Sequence, residues 1–174
     1  DEVLHEKYYE EVRSAMIKYK DDEKVEGIRF FYEHFYGSYD YVQDNYRNWY
    51  LREVRIVKNS GNIVSWGDAM DFRHKDGSKI NSKDIKAKIY HYGWVRPPDK
   101  LINKRKDFEK LYNTDEIAEK NISQFQNYDD LGNLKKFTET HPAVMKERIS
   151  DSNWNFDAKL NEQNPDWFRK ILIF

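Results

Sequence analysis

The stretch Tyr90-His91-Tyr92-Gly93-Trp94-Val95-Arg96-Pro97-Pro98 decides how the middle of the chain folds. It follows residues 85–89, in which apolar side chains alternate with lysines. Alternation of this kind is typical of a β-strand and places Ile85, Ala87, Ile89 and His91 on one face. Gly93 allows the chain to turn, and the two prolines exclude a regular continuation of the strand. We therefore expect a histidine on the apolar side of a strand end, where binding and catalytic residues are often found.

Other runs of aromatic and β-branched residues predict further strands, and apolar residues spaced by three and four predict amphipathic helices. Aromatic side chains face both sides of the first predicted strand, so we expect that strand to be central. Residues 38–48 predict a polar loop, and residues 67–84 predict a loop with a small hairpin. The predicted strands are residues 25–36, 50–58, 63–66 and 85–92. The predicted helices are residues 4–19, 99–112, 115–126 and 165–174, with a short helix entered at Pro142.

These elements predict an α+β fold, in which a small mixed or antiparallel sheet of three to four strands is flanked by helices. A helical C-terminal region is expected to follow, because the composition changes after Pro98 to a stretch rich in lysine and acids with roughly helical spacing. We therefore expect two units, residues 1–98 and residues 99–174.

The composition of the 174 residues excludes several classes of function. The absence of cysteine rules out disulfides, thiolate catalysis and cysteine-metal sites, and it suits a cytoplasmic protein. The net charge of −1 gives no reason to expect a nucleic-acid partner. No apolar run approaches the roughly 20 residues of a membrane-spanning helix. Aromatic residues make up 16 % of the chain, enough to build a core with few aliphatic residues or to present flat rings to sugars.

The two ends of the chain suggest a fragment. The chain opens on the carboxylates of Asp1 and Glu2 without an initiator methionine, and it ends on apolar residues. We expect Asp1 and His91 to belong to one site whose other wall is missing. Sheet edges and apolar faces bared in this way favour association, so we expect a homodimer or some rearrangement of the exposed surface.

Four parts of the sequence form a recognisable set: Asp1-Glu2-Val3-Leu4-His5-Glu6, Phe35-Tyr36-Gly37-Ser38-Tyr39-Asp40-Tyr41-Val42, the stretch 90–98, and Thr140-His141-Pro142 with Trp154 and Phe156-Asp157. Together they resemble a bacterial branch of the family 2 glycosyltransferases. The resemblance implies the GT-A fold, a nucleotide-binding α/β sandwich. Residues 1–98 would be the C-terminal, acceptor-side half of its catalytic domain, and residues 99–174 a helical extension.

The resemblance also implies an activity. Such an enzyme transfers a sugar from a nucleotide-sugar donor to a carbohydrate acceptor hydroxyl, here in the synthesis of a cell-surface polysaccharide. Because the donor-binding half would lie outside this chain, the isolated fragment is expected to be inactive. The alternative is a standalone carbohydrate-binding or oligomerisation module without catalysis.

A metal site is part of what the resemblance implies. Asp1 and Glu2 resemble the end of an acidic motif that holds a divalent metal, Mn²⁺ or Mg²⁺, against the donor diphosphate. His91 would complete the metal ligands, since a neutral imidazole suits Mn²⁺. Two acids ahead of a helix can instead complement the helix dipole, and a histidine at a strand end can simply be hydrogen-bonded. The sequence leaves these alternatives open.

The transfer reaction also needs a base that takes the proton from the acceptor hydroxyl. Asp68 is the preferred candidate, with Glu33, Asp40 and Asp71 as the open alternatives. For binding the donor, Arg96 offers a cation to phosphate oxygens and Trp94 offers a ring to a sugar. The further candidates for these two binding roles are Arg52, Arg55 and Trp66. Surface ion pairs and core packing are the ordinary alternatives for all of them.

Overall fold

Eight strands and four helices form the described parts of this computed structural model, which are residues 1–44, 49–67, 70–124 and 134–156. The strands are β1 (Glu2–Leu4), β2 (Gly27–Tyr36), β3 (Tyr41–Gln43), β4 (Arg52–Val57), β5 (Ile63–Trp66), β6 (Asp71–His74), β7 (Ser82–Trp94) and β8 (Leu134–Lys136). The helices are α1 (Tyr9–Tyr19), α2 (Pro98–Tyr112), α3 (Asp115–Gln124) and α4 (Lys146–Ser150). None of the described helices has the length and apolar character needed to cross a membrane.

The longest strands, β2 and β7, lie side by side in the main sheet and run parallel. The other pairings are antiparallel: β1 pairs with β7, β3 and β4 pair with β2, and β8 pairs with β3. The order is β1-β7-β2-β3-β8, with β4 also beside β2, and β5 and β6 form a separate hairpin. Three strands border β2, so the predicted central position of this strand is confirmed.

Two clusters of buried side chains form the core. In the first, Val12 and Ala15 of α1 pack against apolar residues of β2 and β7, which include Phe30 and Ile89. The second cluster is largely aromatic and consists of Phe35, Tyr39, Val42, Tyr90, Tyr92, Val95 and Met145. The many aromatic residues of this chain therefore form much of its core.

The fold class predicted from the sequence is confirmed in its coarse form, since the described chain is α+β with a mixed sheet. Among the described residues, the main sheet has six strands rather than three to four. The reason is that β1, β3 and β8 have only three residues each, too few to show an alternating pattern. The helices predicted at residues 99–112 and 115–126 correspond to α2 and α3.

The helix predicted over residues 4–19 is wrong at its beginning. Leu4 belongs to β1, where it pairs with Ile89 of β7, and α1 begins only at Tyr9. His5 accounts for the difference, because its Nδ1 accepts a hydrogen bond from the backbone N–H of Lys7 and starts a 3₁₀ turn, Glu6–Tyr8. The helix predicted over residues 165–174 lies outside the described residues.

Candidate functional site

A row of polar side chains crosses one face of the main sheet at the level of His91. In the strand order, Glu2 of β1 pairs with His91 of β7, and His91 pairs with His34 of β2. The antiparallel pairing of Phe35 with Val42 places Gln43 of β3 beside His34. The row runs from the sheet edge, where Glu2 is exposed, to the interior, where His34 and Gln43 are 4 % and 7 % exposed.

The amide of Gln43 makes no hydrogen bond to any described residue. A buried amide without a partner is unfavourable, since burying it removes hydrogen bonds to water without replacing them. The polar row therefore includes a group that contributes nothing to stability through hydrogen bonding.

Hydrogen bonds fix the protonation of the two histidines. His34 Nε2 lies 2.8 Å from the carbonyl oxygen of Tyr50, which can only accept, so His34 carries its proton on Nε2. His34 Nδ1 must then accept from Nδ1 of His91, 2.9 Å away. Burial lowers the pKa of both histidines to about 4, which keeps them neutral at pH 7. We infer that Nε2 of His91 carries a free lone pair.

That lone pair faces a carboxylate. Nε2 of His91 lies 3.7 Å from Oδ2 of Asp1, and the chain passes close by at Gly93. A Cβ on Gly93 would lie 2.5 Å from the carboxylate oxygen and 2.6 Å from the imidazole nitrogen, so only glycine leaves this space open. Two acceptors that face each other favour a cation between them, either a proton or a metal ion.

The residues predicted to bind a metal are thus divided. Asp1 and His91 lie together, whereas both carboxylate oxygens of Glu2 accept hydrogen bonds from Arg55, at 2.9 and 3.0 Å. Burial opposes ionisation of Glu2, but the hydrogen bonds and charge of Arg55 hold its pKa below the ordinary value. Within the described ranges, no three His, Asp or Glu side chains converge as a metal-binding group. The protein side of a metal site here would consist of two ligands.

Trp94 lies on the same face as His91, which strict alternation along β7 does not predict. The register between β2 and β7 shifts between His34 and Tyr36, so Tyr36 pairs with Trp94. The Trp94 ring stacks on that of Tyr36 at 6.0 Å and meets the ring of Trp49 edge-on at 5.7 Å. Trp49 in turn contacts His34 at 4.9 Å. A β-bulge therefore brings an aromatic wall next to the histidine pair.

Two positively charged side chains lie next to Gly93. Arg96 and Lys104 both donate to the carbonyl oxygen of Gly93, at 3.3 and 2.8 Å. The ammonium of Lys104 lies 4.8 Å from the centre of the Trp94 ring. Burial and the charge of Arg96 lower the pKa of Lys104. The sequence analysis identified Arg96 but missed Lys104, because nothing in the pattern distinguishes this lysine from Arg105 and Lys106 beside it in the charged helix α2.

Four carboxylates are considered as the catalytic base, and the surroundings of the three that the structure describes differ. Asp68, the preferred one, lies outside the described residues. Glu33 forms an ion pair with Lys88 at 2.6 Å, which leaves its carboxylate engaged. Asp71 begins β6, and its Oδ1 is buried without a hydrogen-bond partner among the described residues. Asp40 lines a cavity on the opposite face of the sheet from His91.

The other binding candidates are engaged in structural contacts or exposed. Arg52 forms an ion pair with Asp84 at 2.6 Å, and Arg55 binds Glu2 as described above. Trp66, on the β5–β6 hairpin, is 49 % exposed and lies under the guanidinium of Arg73. The groups brought together around Gly93 are therefore Asp1, His91, Trp94, Arg96 and Lys104, supported from behind by His34.

Comparison with known proteins adds no relative to this geometry. Searches of protein-family models, of curated proteins and of solved structures gave no match to the chain.

Proposed function

We propose that this chain is the acceptor-side part of a family 2 glycosyltransferase of the GT-A fold, an enzyme that transfers a sugar from a nucleotide-sugar donor to an acceptor hydroxyl. The observation that carries this proposal is the facing pair of Asp1 and His91 in the space beside Gly93. Arg96 and Lys104 add two positive charges next to the pair. Carboxylate, imidazole and cations grouped in this way suit a metal ion together with a diphosphate.

The residues at this site fit a divalent metal. A bound Mn²⁺ or Mg²⁺ neutralises the negative charge that develops on a diphosphate leaving group. Asp1 Oδ2 and His91 Nε2 would hold the ion from the protein side, and an imidazole ligand favours Mn²⁺ over Mg²⁺. Two protein ligands leave other positions for phosphate oxygens, as is usual where such ions bind nucleotides. Arg96 and Lys104 would bind the remaining phosphate oxygens.

The acceptor side of the reaction needs a base. We propose Asp68 for this role, so that its carboxylate takes the proton from the acceptor hydroxyl. The acceptor oxygen then forms a bond to the anomeric carbon, and the bond from that carbon to the diphosphate breaks with its electron pair on the diphosphate. Trp94 offers an apolar ring face to the sugar or base of the donor. We further propose that the enzyme acts in the cytoplasm as a homodimer and that its product is a cell-surface polysaccharide.

Manganese binding tests the proposal directly. The electron paramagnetic resonance signal of free hydrated Mn²⁺ is followed as the protein is added, with and without uridine diphosphate. We expect the protein to remove the free signal, and we expect the His91→Ala and Asp1→Asn variants to bind at least about tenfold more weakly. The matched control is His74→Ala, because His74 bonds to Glu26 and Ser78 at the β5–β6 hairpin.

The proposal fails if the wild-type chain, the His91→Ala variant and the Asp1→Asn variant bind Mn²⁺ with equal affinity in the presence of uridine diphosphate. It also fails if the His74→Ala control loses binding to the same degree, because the metal would then lie elsewhere.

A further inference from the structure

The cavity lined by Asp40 lies on the face of the sheet opposite to His91. Side chains alternate along β7, so the neighbouring Tyr92 points the other way and bonds through its hydroxyl to His141 at 2.9 Å. The cavity next to this contact has a volume of about 410 Å³, within the usual range for small-molecule sites. Three separate segments build it, and its lining residues are Ser38, Tyr39, Asp40, His141, Ile149, Ser152, Trp154, Asn155 and Phe156.

The aromatic walls of this cavity are held in place by contacts outside it. Trp154 Nε1 donates to the carbonyl oxygen of Gly37 at 2.9 Å, which fixes the orientation of the indole. Gly37 has a φ of +70°, and the ring of Phe156 occupies the space where a Cβ on Gly37 would lie. Tyr39 is 5 % exposed, and its ring lies 6.4 Å from that of Trp154. These contacts set where the three rings stand around the cavity.

His141 has a structural role in the wall of this cavity. Its Nδ1 bonds to Tyr92, and a second hydrogen bond runs to the backbone of Tyr39. Burial lowers the pKa of His141, so the ring stays neutral at pH 7. Because Nδ1 of His141 is engaged with Tyr92 and its ring packs against those of Phe35 and Phe137, His141 is part of the cavity wall.

Two polar side chains at the cavity are free to bind a ligand. Within the described part of the chain, neither the carboxylate of Asp40 nor the amide of Asn155 has a hydrogen-bond partner, and both residues are exposed. None of the described lining residues is lysine or arginine, which disfavours phosphates and other anions. A purely apolar ligand would bury the carboxylate and the amide without partners. The lining thus favours a neutral ligand that has both an apolar face and many hydroxyl groups.

We propose that this cavity is a binding site for neutral carbohydrate. The ring of Trp154 stacks on the apolar face of a sugar, while Asp40 accepts hydrogen bonds from sugar hydroxyls and Asn155 both donates and accepts. The site is separate from the Asp1–His91 pair and does not depend on the proposed transfer reaction. The chain would therefore hold a saccharide on one face of the sheet while the other face presents the metal and phosphate chemistry.

The test is a titration of the chain with maltotriose, cellotriose and N,N′-diacetylchitobiose, followed by saturation-transfer NMR and tryptophan fluorescence. We expect saturable binding of at least one of these neutral oligosaccharides, with a millimolar dissociation constant. The Trp154→Ala variant should bind about tenfold more weakly or worse, and Asn155→Ala and Asp40→Ala severalfold more weakly. The matched control, Trp66→Ala, removes an exposed tryptophan on another element and should bind normally.

Because Trp154 also packs and donates a hydrogen bond, the exposed Asn155→Ala change keeps the test decisive if Trp154→Ala unfolds. The proposal is overturned if no oligosaccharide of the panel saturates, or if Asn155→Ala and Asp40→Ala bind as the wild type does. It is also overturned if choline binds in place of the sugars, since rings beside a carboxylate can hold a quaternary ammonium. The His91→Ala variant should retain oligosaccharide binding, so this proposal and the transfer reaction fail independently.

Discussion

At the scale of single residues, the proposed metal site depends on His34, which acts through His91. The proton that His34 donates to the Tyr50 carbonyl leaves only Nδ1 to accept from His91. His91 is thereby held as the tautomer with its proton on Nδ1, and Nε2 is kept free on the side of Asp1. A second residue that fixes the tautomer of a metal-binding histidine is a common feature of metal sites. His34 is thus a positioning residue.

Removing His34 should therefore change the tautomer of His91. In the wild type, we expect long-range nitrogen–proton NMR correlations to report His91 protonated on Nδ1. In His34→Ala, the proton should move largely to Nε2, and Mn²⁺ affinity should fall about tenfold. The variant His34→Asn, whose side-chain oxygen can accept from His91 Nδ1, should restore part of the affinity. An unchanged His91 tautomer in His34→Ala would contradict the assignment.

Glu53 should give the stability of the protein a pH dependence. Burial, followed by the charge of Asp71, raises the pKa of Glu53 to about 7, from an ordinary value of 4.5. The folded state therefore binds more protons than the unfolded state between these pH values, and this residue lowers stability as the pH rises through that window. Glu53→Gln removes the effect. The free energy of unfolding of the Glu53→Gln variant, relative to that of the wild type, should therefore rise by about 1 kcal/mol from pH 4 to pH 8. This figure is discounted for solvent screening.

The measurement is urea unfolding of both proteins at several pH values between 4 and 8. The matched control is Glu23→Gln, at an exposed position in the turn after α1, which should follow the wild-type curve. Parallel curves for Glu53→Gln and wild type would show that Glu53 titrates normally.

At the scale of elements, the predictable parts are those with long, regular patterns. The alternation in residues 85–92 and the aromatic run in residues 25–36 predicted β7 and β2 correctly. The same alternation could not predict the face of Trp94, because the bulge that turns it depends on how β7 pairs with β2. Nor could it predict the His34–His91 contact, since parallel pairing joins strands that are distant in sequence. The sequence pattern places the candidate residues near a strand end, but their arrangement in space depends on how the strands pair.

The close approach of Gly93 to Asp1 and His91 predicts how a side chain at position 93 would change metal binding. Gly93→Ala would place a Cβ against Asp1 and His91, so these two side chains, the proposed ligands, must separate. We expect Mn²⁺ affinity to fall at least tenfold, about as much as on loss of a ligand-orienting residue. The control is Gly61→Ala, because a Cβ there meets no atom within 4 Å and only its φ of +72° is unfavourable. Titration of both variants, alongside thermal unfolding, separates the local effect from a general loss of stability. Wild-type affinity in folded Gly93→Ala would contradict the site.

At the scale of the whole molecule, the predicted homodimer needs a surface. Helices α2 and α3 expose large apolar side chains, among them Leu111 at 72 % and Ile117 at 49 %. Exposed apolar groups on neighbouring elements favour association. The predicted division at residue 98 stays a prediction. Two residues of α2 contact the first unit, since Lys104 donates to the carbonyl oxygen of Gly93 and the ring of Phe108 lies 5.8 Å from that of Trp94.

We expect light scattering after size-exclusion chromatography to show a dimer at micromolar concentration. The Leu111→Glu variant should shift this equilibrium towards monomer by at least about tenfold, because a charge would have to be buried at the interface. Val144→Glu, a change at a similarly exposed residue outside α2 and α3, should leave the dimer intact. A wild-type monomer at high concentration would contradict the homodimer, and a dimer unaffected by Leu111→Glu would place its interface elsewhere.

The parallel pairing of β2 with β7 has a consequence for how the protein reaches its native state. The His34–His91 contact closes a loop of 57 residues, and the described part of that loop contains four other strands. Closing so long a loop is opposed by entropy, and folds dominated by such distant contacts form slowly. The two histidines can meet only when that closure occurs. Metal affinity should therefore appear late in refolding, together with the rate-limiting collapse of the sheet rather than with the early formation of the helices.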